Sequence, residues 1–245
     1  MNELVVDIPR AGMTRWLAVA PHGFVAGRAG LWSLPPPASP GAARLSLSVE
    51  PRWRRRGIGS RLLAAVRDAA AGRRLLADVG AGSPGEAFCR RHGFRRTGSR
   101  RHDLLTYCDV HQAWLAELVD ADHPGYRLTS WTGDLPARPG AALLTGAEVE
   151  AEAGGGALAA YVLAVTGPGE RARQYGPTVL PGHGEQQIGL WVNAALIQRL
   201  RTLHPYVTEI EAAGPGHDAG LLAVRRHLGF RPVRRTRLYE LETSP

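Results

Sequence analysis

The chain has 245 residues, 44% hydrophobic and 21% charged, which is enough apolar material for one large core or two small ones and excludes a mainly disordered protein. No apolar run reaches the ~18 residues of a membrane span, the N-terminus lacks the basic-then-apolar layout of a secretory leader, and two cysteines are too few for a disulfide framework, so a cytoplasmic protein is expected. All 30 basic residues are arginine, which excludes a Schiff-base or Walker-type lysine; residues 1 to 107 hold 18 of them against seven acids, whereas residues 108 to 245 are net acidic, so an anionic partner is sought in the first half.

In chain order, Thr14 to Ala20 and Gly23 to Leu34 read as strands joined by a turn at Pro21-His22-Gly23. From Arg44 to Val49, Leu45, Leu47 and Val49 alternate with Ser46 and Ser48, the period of a strand with one buried face. Pro51 ends that strand. A helix is predicted from Ile58 to about Ala71 on the spacing of Ile58, Leu62, Leu63 and Val66. A strand at Arg74 to Val79, a helix from Pro84 to His92 capped by Ser83, and two short strands, Phe94 to Ser99 and Asp103 to Tyr107, close this part.

Arg90-Arg91-His92-Gly93-Phe94-Arg95 then recurs as Arg225-Arg226-His227-Leu228-Gly229-Phe230-Arg231, and Val49-Glu50-Pro51 before Gly59 is echoed by Val179-Leu180-Pro181 before Gly189. The order of elements repeats as well, so two diverged copies of one unit are expected. In the second copy, strands are predicted at Tyr126 to Trp131, Ala157 to Thr166, Arg173 to Leu180 and Tyr206 to Ala212, and helices at Gly189 to Leu203 and Asp218 to His227. Two more short strands, Phe230 to Arg235 and Leu238 to Glu242, end it, while the Ala/Gly/Glu-rich stretch from Pro136 to Gly156 has room for one short element. Val110, Trp114, Leu115 and Leu118 mark a helix joining the copies. The division is residues 1–107, a linker helix at 108–124 and residues 125–245.

The most informative segment is Glu50-Pro51-Arg52-Trp53-Arg54-Arg55-Arg56-Gly57-Ile58-Gly59-Ser60, between a strand and a helix. Gly57 and Gly59 let successive N–H groups point into one concavity at the positive end of the helix dipole, and the arginines add charge suited to phosphate oxygens. A pyrophosphate is the expected ligand. A P-loop would need lysine after its last glycine, where Ser60 and Arg61 stand, and a dinucleotide fingerprint would need glycine at Leu62. A basic turn binding nucleic acid is the competing reading of Arg52 to Arg56, and the scarcity of basic-aromatic interleaving beyond Trp53 argues against it.

The V-x-P strand end, the run from Arg54 to Leu63 and the Phe88-to-Phe94 string resemble the Gcn5-related N-acetyltransferase (GNAT) family, and the double layout is similar to tandem GNAT proteins of the mycothiol-synthase type. The resemblance implies an α/β fold of two tandem domains, each a mixed, mostly antiparallel sheet flanked by helices. The usual first two helices have no room between Val5–Ile8 and Thr14. It implies an enzyme that binds acetyl-CoA or another acyl-CoA and passes the acyl group to an amine, whether a small molecule, a peptide or a carrier-bound acceptor. By that resemblance Leu47, Ser48 and Val49 meet the pantetheine arm, a backbone N–H near Val49 stabilises the oxyanion, and Arg54, Arg55, Arg56, Gly57, Ile58, Gly59 and Ser60 hold the pyrophosphate.

Cys89 stands where the family often has the tyrosine that returns a proton to the leaving thiolate, and Glu50 is close enough to the expected thioester to be a general base; both are candidate catalytic residues. Gly82 replaces a frequent asparagine. In the second copy, Gly184 to Gly189 keeps only the last glycine of the motif and adds Glu185. One CoA per chain, in the first copy, is expected. A CoA-binding protein whose catalysis has decayed is the alternative. The nine histidines show no metal-ligand spacing, so no metal is expected.

Overall fold

A computed structural model describes residues 3–10, 13–33, 41–134, 140–150, 156–184 and 187–243. The chain forms two compact units, one of residues 1–99 with 236–245 and the other of residues 100–235. Each unit therefore takes its last strand from the far end of the other copy in sequence.

The first unit contains β1 (Glu3–Arg10), β2 (Met13–Val19), β3 (Val25–Ser33), β4 (Ala42–Val49), α1 (Ile58–Ala70), β5 (Arg74–Gly80) and α2 (Pro84–Arg91). Strands β1 to β4 are successive antiparallel neighbours. Strand β4 lies parallel to β5 because α1 carries the chain back across one face between them. The outer neighbour of β5 is the end of β12 (Arg231–Leu241), antiparallel from Thr236↔Gly80 to Leu241↔Leu75.

The alternation along β4 turns Ala43, Leu45 and Leu47 toward α1, where they pack with Trp16, Ala18, Leu31, Leu62, Leu63, Val66, Cys89 and Tyr239. Gly27 allows the close approach of helix and sheet. A Cβ there would stand 3.1 Å from Ile58 and from Leu62. Both helices thus cover the same face, leaving Arg15, Arg28, Arg44, Ser46 and Ser48 exposed on the other.

The second unit contains β6 (Arg95–Thr106, from Arg100 on), α3 (Gln112–Asp120), β7 (Tyr126–Asp134), β8 (Ala141–Val149), β9 (Leu158–Val165), β10 (Arg171–Val179), α4 (Ile188–Leu203), β11 (Glu209–Pro215) and α5 (Ala219–His227). Strands β7 to β10 form an antiparallel meander, β10 runs parallel to β11, and β6 closes the unit against β11. The buried helix α4 packs Ile188, Val192, Leu196, Ile197 and Leu200 into a core with Val162, Ala164 and Ile210. The linking helix α3 belongs to this unit, with Leu115 in the core and the Val119 carbonyl accepting from Trp191 Nε1 at 2.9 Å.

Three elements differ from the sequence reading. The strands predicted at Phe94–Ser99 and Asp103–Tyr107 are one twelve-residue strand, β6, and those at Phe230–Arg235 and Leu238–Glu242 are likewise one strand, β12. Arginine, glycine and serine break the apolar alternation in the middle of β6, but edge-to-edge pairing holds the backbone extended regardless. The Ala/Gly/Glu-rich stretch holds a full strand, β8, whose small residues fit beneath α4. Glu185 lies outside the described residues.

Candidate functional site

The register between β4 and β5 runs from Ala42↔Arg74 to Leu45↔Ala77 and then stops, although β4 continues to Val49 and β5 to Gly80. On its other edge β4 stays paired with β3 to Gly27↔Val49. The two parallel strands therefore diverge into a V whose apex is at Leu45 and Ala77. Glu50 N–H donates to Ala26 at 3.0 Å, so by strand alternation the main-chain groups of Leu47 and Val49 face the gap. The Val49 carbonyl accepts from Arg54 Nε at 3.1 Å, which pins the following loop to the mouth of the V. Ser48, also expected here, puts its side chain on the exposed face away from the helices.

The loop leads from Pro51–Trp53, a turn of 3-10 helix, into α1. Arg55 has φ 64° and Gly57 φ 78°, so the chain is left-handed on both sides of Arg56. Gly57 is the N-cap of α1 and supplies no side chain to the first-turn amides. With no capping oxygen, those N–H groups and the positive end of the dipole remain directed at whatever anion enters the loop. Arg54, Arg55 and Arg56 are exposed around it. Ile58 is buried in the core, and Ser60 Oγ lies 3.2 Å from His92 Nε2. The His92 ring lies tilted at 42° against Phe88, with centroids 4.2 Å apart. Burial, with Arg91 and Arg67 nearby, lowers the His92 pKa, so this imidazole is neutral at pH 7.

Beside the loop, Pro21, His22, Phe24, Arg52, Trp53 and Arg56 line an open pocket of about 350 Å³. The Arg52 guanidinium lies 5.3 Å over the Phe24 ring and that of Arg56 4.9 Å over Trp53. Phe24 is 55% exposed. Sequence reading placed Phe24 within the strand Gly23 to Leu34 and gave it no part in the site. Only the register, which places the β2–β3 turn beside the end of β4, brings it to the loop.

The candidate catalytic residues are placed apart. Glu50 is exposed at the end of β4. Cys89 is 3% exposed within the apolar core, and burial followed by the nearby Glu86 charge pushes its thiol up to about 11. Next to it Glu86 accepts from Gly82 N at 2.6 Å, from Tyr239 Oη at 2.8 Å, and from Arg237. Those partners, the Gly82 amide first, hold its carboxyl down at about 2. This buried carboxylate fastens the end of β12 to α2.

The second unit has the same V. Strands β10 and β11 pair only from Arg171↔Glu209 to Gln174↔Ala212, after which β10 bulges away. Here the gap is bridged. Arg225, on α5, donates from Nη2 to the carbonyls of Gly176 on β10 (3.4 Å) and Ala213 on β11 (3.3 Å). Its Nη1 lies 3.3 Å from Asp103, whose other oxygen is 2.6 Å from Arg101. Both Arg225 and Asp103 are buried. Arg225 occupies the position that Arg90 holds in the first copy, yet the Arg90 side chain is 64% exposed and pairs with Glu86.

The neighbouring positions account for the difference. Gly214, opposite Arg101, would bring a Cβ within 3.2 Å of the Arg225 guanidinium, and its counterpart Val79, opposite Arg237, fills that space. Asp103 stands opposite Ala212 as Tyr239 stands opposite Ala77, so only the second unit has a counter-ion at that place.

Among the described residues no cluster of three or more His, Cys, Asp or Glu could hold a metal, and no helix is long and apolar enough to cross a membrane. Residues 12–96 match the family model of the acetyltransferase (GNAT) domain. The fold resembles a tandem GNAT protein from the clavulanic acid biosynthesis pathway, solved without AcCoA, with TM-score 0.76 and 26% identity over 95% of this chain and 83% of that one. It also resembles a GCN5-related N-acetyltransferase from Sphaerobacter thermophilus, with TM-score 0.63 and 17% identity over 94% and 81%. One from Kribbella flavida gives TM-score 0.57 and 14% identity over 100% and 90%. None of the curated protein sequences compared with the chain matches it. Residues 12–96 thus carry a GNAT acetyltransferase domain, and the chain as a whole has the fold of a tandem GNAT protein, likenesses that support an N-acetyltransferase.

Proposed function

We propose that the first unit binds acetyl-CoA or another acyl-CoA and transfers its acyl group to an amine, while the second unit binds none. The observation that carries this reading is the contrast between two equivalent gaps, one leading into an arginine-and-glycine loop and the other bridged by Arg225. An acyl-CoA supplies a thioester carbonyl that a neutral amine attacks, the thiol leaving with a proton. Leu47 and Val49 present main-chain groups to the pantetheine amides, and an N–H on this edge of β4 is the oxyanion donor. Arg54 to Ser60 hold the diphosphate through first-turn amides and guanidinium groups. The pocket of Phe24, Arg52, Trp53 and Arg56 fits the nucleotide end, with a ring to stack on and cations for a phosphate.

Cys89 contributes packing in this account, because a thiol within the apolar core has no path to a leaving group. Titration calorimetry with CoA tests the reading. One site per chain, lost in Gly57→Glu, is expected. Two sites, or binding that survives that substitution, would overturn it.

A further inference from the structure

The pocket beside the loop carries more positive charge than a diphosphate calls for. Arg54, Arg55 and Arg56 already stand around the first turn of α1, and among the described residues neither they nor Arg52 has a carboxylate partner, Arg54 donating instead to the Val49 carbonyl. Arg52 lies outside that run. It belongs to the 3-10 turn Pro51–Trp53, and its guanidinium sits 5.3 Å over the ring of Phe24, at the turn between β2 and β3. The chain is left-handed there at His22 (φ 69°) and Gly23 (φ 79°), and both His22 and Phe24 line the pocket. Another wall is Trp53, whose indole N–H is buried without a hydrogen-bond partner, an unmet donor that a ligand atom would satisfy. The second unit lacks the pattern. Counting from the V-x-P that the copies share, Gly182 stands for Arg52, His183 for Trp53 and Gly184 for Arg54, and the His183 ring is engaged by Tyr126 Oη at 2.9 Å.

We infer that this pocket reads the phosphate on the ribose of the cofactor, through Arg52, and so distinguishes CoA from dephospho-CoA. CoA ends in an adenine and a monophosphate that the ribose sets apart from the diphosphate. An open cavity of about 350 Å³ beside the diphosphate loop, walled by aromatic rings and a separate guanidinium, matches that order of groups. Phe24 keeps 55% of its surface exposed even with Arg52 above it, and offers adenine a face to stack on. Arg52, steadied over that ring, keeps the N–H edge of its guanidinium for the monophosphate oxygens. The inference deepens the acyl-CoA reading and rests on it, because that reading puts the diphosphate in the adjoining loop.

The test titrates the intact chain by calorimetry with CoA and, separately, with dephospho-CoA. CoA should bind at least about tenfold more tightly. Arg52→Gln should bring that ratio below about threefold while the affinity for dephospho-CoA stays the same. Phe24→Ala should weaken both ligands by about tenfold and keep the ratio. Arg95→Gln, which removes an exposed guanidinium elsewhere in the first unit, should leave the ratio as it is. Equal binding of the two ligands by the unaltered protein, a preference that persists in Arg52→Gln, or one that Arg95→Gln removes just as fully would overturn the inference and leave the cofactor reading standing. Failure of both ligands to bind would instead overturn the cofactor reading and this inference with it.

Discussion

The two gaps teach how one sequence position acquires opposite roles. Arg90 and Arg225 sit in the same R-R-H string of the repeat, yet one guanidinium is exposed and the other is buried across two diverging strands. Valine against glycine at the neighbouring strand position and tyrosine against aspartate on the closing strand decide which occurs. A buried guanidinium needs space, acceptors and a counter-ion, and only the second unit provides all three. The result is a fold that keeps its second gap closed with its own chain.

The comparison is broken most severely by Gly57→Glu. The substitution puts a side chain at φ 78° and a negative charge where the phosphates would lie, so CoA affinity should fall by about 100-fold or more in calorimetry while the circular dichroism spectrum is retained. Arg225→Met comes next. It removes one of the two arginines paired with Asp103 and leaves Arg101, and thermal or urea unfolding should show a loss of roughly 3 kcal/mol, partly recovered by adding Asp103→Asn. Opening this gap should not create a second CoA site, because the loop before α4 lacks the arginines.

A pH titration sharpens the comparison on the other side. The Glu86 pKa is held below its ordinary value in the folded state, so its contribution to stability is complete above about pH 4.5 and is lost as pH falls toward about 2. Glu86→Gln should flatten that acid limb of the unfolding curve. The smallest effect is expected at Cys89. Replacing this buried thiol by alanine should cost about 1 kcal/mol in unfolding and leave acyl transfer within about threefold, whereas exposed Cys108 should be the thiol alkylated in the native protein.

Much of this was legible in the chain itself. Alternation of Leu45, Leu47 and Val49 with two serines defines β4 and its buried face, and Gly57 with Arg54 to Arg56 identifies the loop before any coordinates are considered. Arg225 was not legible, because the repeat carries the same arginine twice and its fate depends on Gly214 on the neighbouring strand and on Asp103, more than a hundred positions away. The exchange of closing strands was hidden for a related reason. Periodicity reports that Asp103 to Thr106 and Leu238 to Leu241 are extended, but not which β5-like strand each will pair with. Phe24 is likewise brought beside the loop by register alone.

The central claim is tested most directly by titrating the intact chain with CoA in a calorimeter and counting sites. A stoichiometry of one that disappears in Gly57→Glu and persists in the paired Arg225→Met, Asp103→Asn variant is the result expected of an open first gap and a closed second one. Two sites in the unaltered protein, or a single site that survives Gly57→Glu, would contradict it.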